Sequence, residues 1–187
     1  IHYLGLTDPD YPACLKDICD PPLILYYRGN LSDTLNELCV GVVGTRKPTS
    51  YGVEMTRKIL SPLCEKWVNI ISGLAMGIDT IAHQTALKAK TKTIAVFASG
   101  LETIYPPMNK ALAEHIIDKG ALVSEYEPGS KLERWNFPAR NRIISALSQA
   151  IFVVEGSLNS GAMLTAKFAQ QQNKPLYALP GNINNRN

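Results

Sequence analysis

No stretch of this sequence is long and apolar enough to span a bilayer as a helix. The apolar runs, such as 150–154, are strand-sized, whereas a spanning helix needs about 20 residues. No membrane partner is therefore expected. The opening Ile1-His2-Tyr3-Leu4-Gly5 has neither the basic region nor the apolar run of a secretory signal. It also lacks an initiator Met, which suggests a segment cut from a longer protein, with both ends treated as truncations. Cysteine is scarce: Cys14, Cys19, Cys39 and Cys64, with no C-x-x-C pair. A disulfide framework is unusual in a core of this size, and zinc wants closer Cys or His pairing. The expectation is buried free thiols, a reducing cytoplasmic location, and no metal or cofactor.

Nucleotide and hydrolase fingerprints are missing as well. There is no G-x-G-x-x-G, no G-x-x-x-x-G-K-[ST] and no G-x-S-x-G. This disfavours a P-loop ATPase and a serine hydrolase elbow. Internal repeats and low-complexity tracts are absent. The net charge is only +3, too small to announce a nucleic-acid partner by itself.

What is present fits one large domain with room for a lead-in: 187 residues, 45% hydrophobic and 19% charged. Residues 1–38 are read as that lead-in. Tyr11-Pro12 and Asp20-Pro21-Pro22 punctuate it, and Leu23-Ile24-Leu25-Tyr26-Tyr27 reads as a short strand stopped by Gly29-Asn30. From residue 39 onward, short apolar runs at 39–43, 68–71, 93–97, 121–123, 150–154 and 176–179 alternate with helix-length stretches. Those stretches are 51–66, 78–89, 109–119, 139–148 and 161–172. Nearly all-apolar runs suit parallel strands covered on both faces. The pattern predicts a doubly wound, mostly parallel α/β sheet of about six strands over residues 39–187.

Such sheets bind ligands beyond the carboxyl ends of their strands, and the loops there are rich in small and polar residues. They include Gly44-Thr45-Arg46-Lys47-Pro48-Thr49, Ser72 through Asp79, Ser99-Gly100, Ser124-Glu125, and Gly156 with Ser160-Gly161. Glycine lets a ligand approach the backbone, and free amides at helix starts attract anions. Residues 46–58 carry Arg46, Lys47, Arg57 and Lys58 against Glu54, and residues 131–142 carry Lys131, Arg134, Arg140 and Arg142 against Glu133. Arg46 reads either as a fork for phosphate oxygens or as a surface arginine beside a carboxylate. Asp79 and His83, four apart on one helical face, read as an acid/base pair or as a capping carboxylate and a core histidine. The structural reading is favoured, because no nucleophile or metal partner lies nearby in sequence. Ser160 is a plausible N-cap and lacks the elbow and the His/Asp partner of a nucleophile.

Arg134-Trp135-Asn136-Phe137-Pro138-Ala139-Arg140-Asn141-Arg142 mixes cations with two aromatics before a helix beginning near Pro138. Single-stranded nucleic acid wants that mixture, cations for phosphates and ring faces for unpaired bases. The alternative is that Trp135 and Phe137 are core residues and the arginines are surface charges.

In order along the chain, these segments resemble the DNA-processing protein A (DprA/Smf) family. Asp20-Pro21-Pro22 leads to Tyr26-Tyr27-Arg28-Gly29-Asn30. Then come Val43-Gly44-Thr45-Arg46 with Thr49-Ser50-Tyr51-Gly52, Ser72-Gly73-Leu74-Ala75-Met76-Gly77-Ile78-Asp79, and Ala82-His83. Tyr105-Pro106, Ser124-Glu125, Phe137-Pro138-Ala139-Arg140-Asn141-Arg142, Ser160-Gly161, Thr165-Ala166 and Pro180-Gly181 complete the series. The resemblance implies an extended Rossmann-like fold and a homodimer that binds single-stranded DNA. It also implies protection of incoming DNA and loading of RecA recombinase during natural transformation. By motif, Arg46 and Arg134 are the expected phosphate contacts, with Lys47 beside Arg46, and Phe137 is the expected base contact. The backbone at Gly73, Ser160 and Gly161 would line the pocket. Arg140, Asn141 and Arg142 match the motif too, with one or both arginines bracing the fold.

The competing expectation is a nucleotide-processing enzyme, like the cytokinin-activating phosphoribohydrolases with their P-G-G-x-G-T-x-x-E loop. The comparable Asn159-Ser160-Gly161-Ala162-Met163-Leu164-Thr165-Ala166 lacks the double glycine and the glutamate. That loss favours binding over catalysis. A purely structural dimerisation module is compatible with binding but leaves the polar ligand edge unexplained.

Overall fold

The computed structural model describes residues 1–181. The chain opens with β1 (His2–Gly5), α1 (Ala13–Lys16), β2 (Ile24–Gly29) and α2 (Leu31–Leu35). Strand and helix then alternate: β3 (Cys39–Gly44), α3 (Ser50–Cys64), β4 (Asn69–Ser72), α4 (Ile78–Lys88) and β5 (Thr93–Val96). After a single 3-10 turn come α5 (Lys110–Lys119), β6 (Ala121–Ser124), α6 (Asn136–Leu147), β7 (Ala150–Val154), α7 (Gly161–Gln171) and β8 (Leu176–Ala178).

All strands share one sheet, in the order β1-β2-β6-β5-β4-β3-β7-β8. The stretch from β6 to β8 is parallel throughout. Every residue of β4, β5 and β6 is buried, as expected where helices cover both faces. One face packs Val43, Ile71 and Val123 against Ile143 and Leu147 of α6 and Ala166 of α7. The other packs Val42 and Ile70 against Leu60 of α3 and Ala82 of α4, with Leu122 against Ile116 of α5. Each fully buried Ile or Leu contributes about 1.5–3 kcal/mol relative to exposure. No described helix is long and apolar enough to cross a membrane.

The six parallel strands are those anticipated, but the sheet has eight. The lead-in supplies the other two: β1 pairs antiparallel with β2, and β2 with β6, Tyr26 opposite Ser124. Tyr11, Leu15, Leu25 and Leu31 of the lead-in enter the same core cluster as α6. Tyr11 also donates its hydroxyl proton to the Pro22 carbonyl at 2.6 Å. The last six residues of the anticipated 39–187 domain lie outside the described residues. Helix α6 begins at Asn136, ahead of the expected position. Pro138 therefore lies in its first turn, where a missing N–H breaks no helical bond. Of the four free thiols, Cys39 and Cys64 are buried, and burial pushes them up to about 12 and about 11. Cys14 is half-buried and Cys19 exposed, so the expectation of four buried thiols is corrected.

The strand order decides where a ligand can sit. From β3 the chain runs through β4, β5 and β6 to one side, then returns over α6 to place β7 and β8 on the other. The two directions part between β3 and β7, and crevices open at the carboxyl ends of such a pair.

Candidate functional site

A trough of about 410 Å³ opens at that parting. Gly44 at the end of β3, with Thr45 and Arg46 after it, forms one wall, and Phe137, Pro138 and Asn141 of α6 form another. Asn159, Ser160, Gly161 and Ala162 close it at the start of α7, and Asp79 and Arg140 lie in its floor.

The Arg46 loop is held at its far end. Glu155, directly after β7 and at φ 50°, accepts hydrogen bonds from the Thr49 amide at 2.9 Å and from the Thr49 hydroxyl. Thr49 in turn caps α3 by accepting from the Gly52 amide at 3.1 Å. At the adjoining turn Gly77 has φ 80°, and a Cβ there would stand 2.4 Å from the Thr45 carbonyl. Only glycine suits that close crossing of the β3 and β4 loops. Sequence reasoning missed Glu155. Its signal was an acid at the end of a strand, beside the ligand-edge loops.

Arg46 is exposed, and its guanidinium lies over the Phe137 ring, 5.2 Å from the centroid. Phe137 meets Tyr105 edge-on at 6.0 Å. Opposite, Ser160 caps α7 by accepting from the Met163 amide at 3.4 Å. The Gly161 carbonyl accepts from Asn141 Nδ2 at 3.1 Å, which ties α6 to α7 across the trough. Gly161 and Ala162 stand in the first turn of α7, where amides have no intrahelical acceptor. A cation over an aromatic ring thus faces a helix start whose dipole and amides favour an anion.

The floor is a buried hydrogen-bonded network. Arg140, 4% exposed, donates from Nη1 to the Gly73 carbonyl at 2.9 Å and to the Val96 carbonyl. Asp79 accepts from the amides of Gly73 at 3.1 Å and Ala75 at 3.3 Å. Burial pushes the Asp79 carboxyl above its ordinary value, against the pull of Arg140 and these amides. Burial lowers Arg140 to about 10, opposed by Asp79. His83 is wholly buried, with Nδ1 2.7 Å from the Thr93 hydroxyl oxygen. That hydroxyl donates to the Ile70 carbonyl, so His83 Nδ1 carries the proton. Burial, and next to it the charge of Arg140, holds His83 down at about 3. Asp79 and His83 are therefore a loop brace and a core histidine.

The structure thus brings Arg46, Phe137, Arg140, Asn141, Ser160 and Gly161 to one concavity. Four expected residues do not line it. Gly73 directs its amide to Asp79 and its carbonyl to Arg140, and a Cβ there would strike the Arg140 guanidinium at 2.4 Å. Its backbone is spent inside rather than offered to a ligand. Arg142 points to the lead-in, paired with both Glu125 oxygens at 2.6 Å, with Nε donating to the Asp20 carbonyl at 2.9 Å. Arg140, although in the floor, is likewise committed to protein carbonyls, so both motif arginines brace the fold. Lys47 is exposed beside Arg46, with its amide bonded to Thr45 Oγ1 at 3.2 Å. Arg134 is exposed on the turn before α6, three residues ahead of Phe137 and four ahead of Pro138. It precedes the helix and is not among the residues that line the trough.

The sequence model of the family described as DNA recombination-mediator protein A matches residues 2–187. The protein Smf of Synechocystis is 48% identical over 181 residues, which cover 95% of this chain and 46% of that protein. The chain therefore spans about half the length of this curated relative. Two solved structures are similar. DNA processing protein A from Streptococcus pneumoniae superposes with a TM-score of 0.93 at 38% identity, over 98% of this chain and 64% of that one. Its Helicobacter pylori counterpart, a protein with a described single-stranded-DNA-binding mode, gives 0.89 at 34% identity, over 98% and 83%.

Proposed function

Since the chain belongs to the DNA recombination-mediator protein A family, we propose that its trough grips the backbone of single-stranded DNA without reading sequence. The protein thereby protects incoming DNA and loads RecA recombinase onto it during natural transformation. One observation carries the reading: Arg46 stands on the Phe137 ring opposite the first-turn amides of Gly161 and Ala162 in α7. Cation, aromatic ring and free amides are the three groups a flexible polyanion with unpaired bases requires. Arg134 extends the cationic wall, and Lys47 stands behind Arg46.

The reading is of a binding protein rather than an enzyme. Asp79 and His83, the acid/base candidates near the trough, are buried in the loop brace and the core. The parallel edge β8, whose three residues are all exposed, offers a place for two copies to pair. We place the DNA-binding domain at residues 39–187, with 1–38 as its lead-in, and the protein in the cytoplasm.

The test is a salt titration of labelled oligothymidine by fluorescence anisotropy, with equal-length duplex as competitor. Affinity should fall steeply as salt rises. Combined Arg46→Ala and Arg134→Ala should weaken binding to all sequences alike and flatten the log–log salt slope by about 1.4, at about 0.7 per lost phosphate contact. Near-full affinity in the folded double variant would remove the trough from consideration.

A further inference from the structure

We infer that Trp135 is a base-stacking platform on the outer side of the trough rim, receiving an unpaired base of the strand beyond the one at Phe137. This rests on the single-strand reading of the trough. Exposure does not single the residue out: Trp135 is 70% exposed, and Trp67, the chain's other tryptophan, is 68%. Place separates them. Trp67 sits between α3 and β4, at the amino end of the sheet and away from the trough. Trp135 is the N-cap residue of α6, next to Arg134 and two residues before Phe137.

The helical period fixes its surroundings. Trp135 shares a face with Pro138 and Ala139, three and four residues on, and its carbonyl accepts from the Ala139 amide at 3.4 Å. Both neighbours are small and exposed, and Pro138 also lines the trough. Trp135 thus shares its face with the lip that Pro138 makes, and its ring is open to solvent. Among the described residues no aromatic ring or cation rests on the indole, unlike Phe137, which already carries Arg46 and meets Tyr105. Side chains at a helix start lean toward its amino end, so Trp135 and Phe137 both lean over the same end of α6, on opposite sides of the turn. A strand leaving Phe137 across this end meets a guanidinium and an indole side by side. Phosphate and base alternate in the same way.

The two tryptophans make the test direct. In Trp67→Phe, where Trp135 is the sole indole, oligothymidine should quench the fluorescence in step with the anisotropy of the bound strand. In Trp135→Phe, which leaves Trp67, the fluorescence should stay flat. Trp135→Ala should weaken oligothymidine binding about tenfold, the range of one lost stacking contact, and Trp135→Phe should restore most of it. The salt slope should not change, because indole carries no charge. An abasic strand of equal length supplies phosphates without bases and should leave the indole signal unaltered. Arg46-dependent binding without quenching in Trp67→Phe would make Trp135 a bystander and leave the trough reading intact. Quenching by the abasic strand would equally overturn stacking. Failure of the unsubstituted chain to bind oligothymidine would remove the single-strand reading, and this inference with it.

Discussion

The rim and the floor of the trough use the same side chain for opposite ends. At the rim, Arg46 and Arg134 are exposed, and Arg46 rests on the Phe137 ring. In the floor, Arg140 is buried and its Nη1 ends on two protein carbonyls. Arg142, on the far side of α6, ends on Glu125 and the lead-in. A guanidinium whose donors end on carbonyls and carboxylates holds a shape. One that stands in water over a ring can exchange solvent for phosphate at little cost. The lesson is that an arginine's use is set by what accepts from it.

The sharpest way to break this contrast is Arg140→Met. The substitution leaves the carbonyls of Gly73 and Val96 without the Nη1 donor and removes the charge that draws the Asp79 carboxyl down. Each buried carbonyl left without its donor costs about 1–3 kcal/mol, together a large part of a domain's stability. Urea unfolding should show that loss. A variant of unchanged stability that no longer bound oligothymidine would move Arg140 from floor to rim.

Acid should unsettle the floor next. His83 titrates at about 3 in the folded chain and near its ordinary 6.5 when unfolded. Between those values the unfolded chain holds the extra proton, so stability is complete above the upper value and declines as pH falls. The slope is about 1.4 kcal/mol per pH unit, hence about 2 kcal/mol by pH 5. Asp79 acts in the other direction. Its raised carboxyl takes a proton in the folded chain before the unfolded chain does, which favours folding as pH falls through that range. Comparing the unsubstituted chain with His83→Gln isolates the histidine. The difference between urea midpoints at pH 7 and pH 5 should shrink in the variant. An equal difference in both would assign the acid sensitivity elsewhere.

The contrast between rim and floor also marks what the sequence could disclose. The parallel strands were legible because burial on both faces leaves apolar runs with helix-length gaps. The rim was legible because Arg46, Ser160 and Gly161 lie in loops at strand carboxyl ends, where topology alone directs them to the ligand edge. The floor was not. Arg140 and Arg142 are two residues apart on α6 and so point to different sides of it. Only the packed fold shows that one meets Gly73 and Val96 and the other Glu125 and Asp20. Gly73 misled for the same reason: a glycine that admits a ligand reads like one that admits a buried guanidinium. The strand at 23–27 was legible, but its place in the sheet was not: β2 pairs with β6, nearly a hundred residues away, through backbone bonds that leave no periodic trace, and it carries β1 to the edge beyond it.

The smallest effect probes the rim itself, at Ser160. Its hydroxyl oxygen accepts from the Met163 amide at 3.4 Å, a long bond for a cap. Ser160→Ala should therefore cost about 0.5 kcal/mol, the low end of the range for losing a cap, and Ser160→Gly only a few tenths. If the rim holds phosphate through the amides of Gly161 and Ala162, neither substitution removes a donor to the strand. Oligothymidine affinity should then stay within about twofold, because first-turn amides remain without intrahelical acceptors whatever side chain precedes them. The hydroxyl and the amides make separable claims, and melting temperature and anisotropy read them separately. A tenfold loss of affinity at unchanged melting temperature would place the Ser160 hydroxyl on the strand. The rim would then work through side chains on both walls, not through a guanidinium on one and backbone on the other.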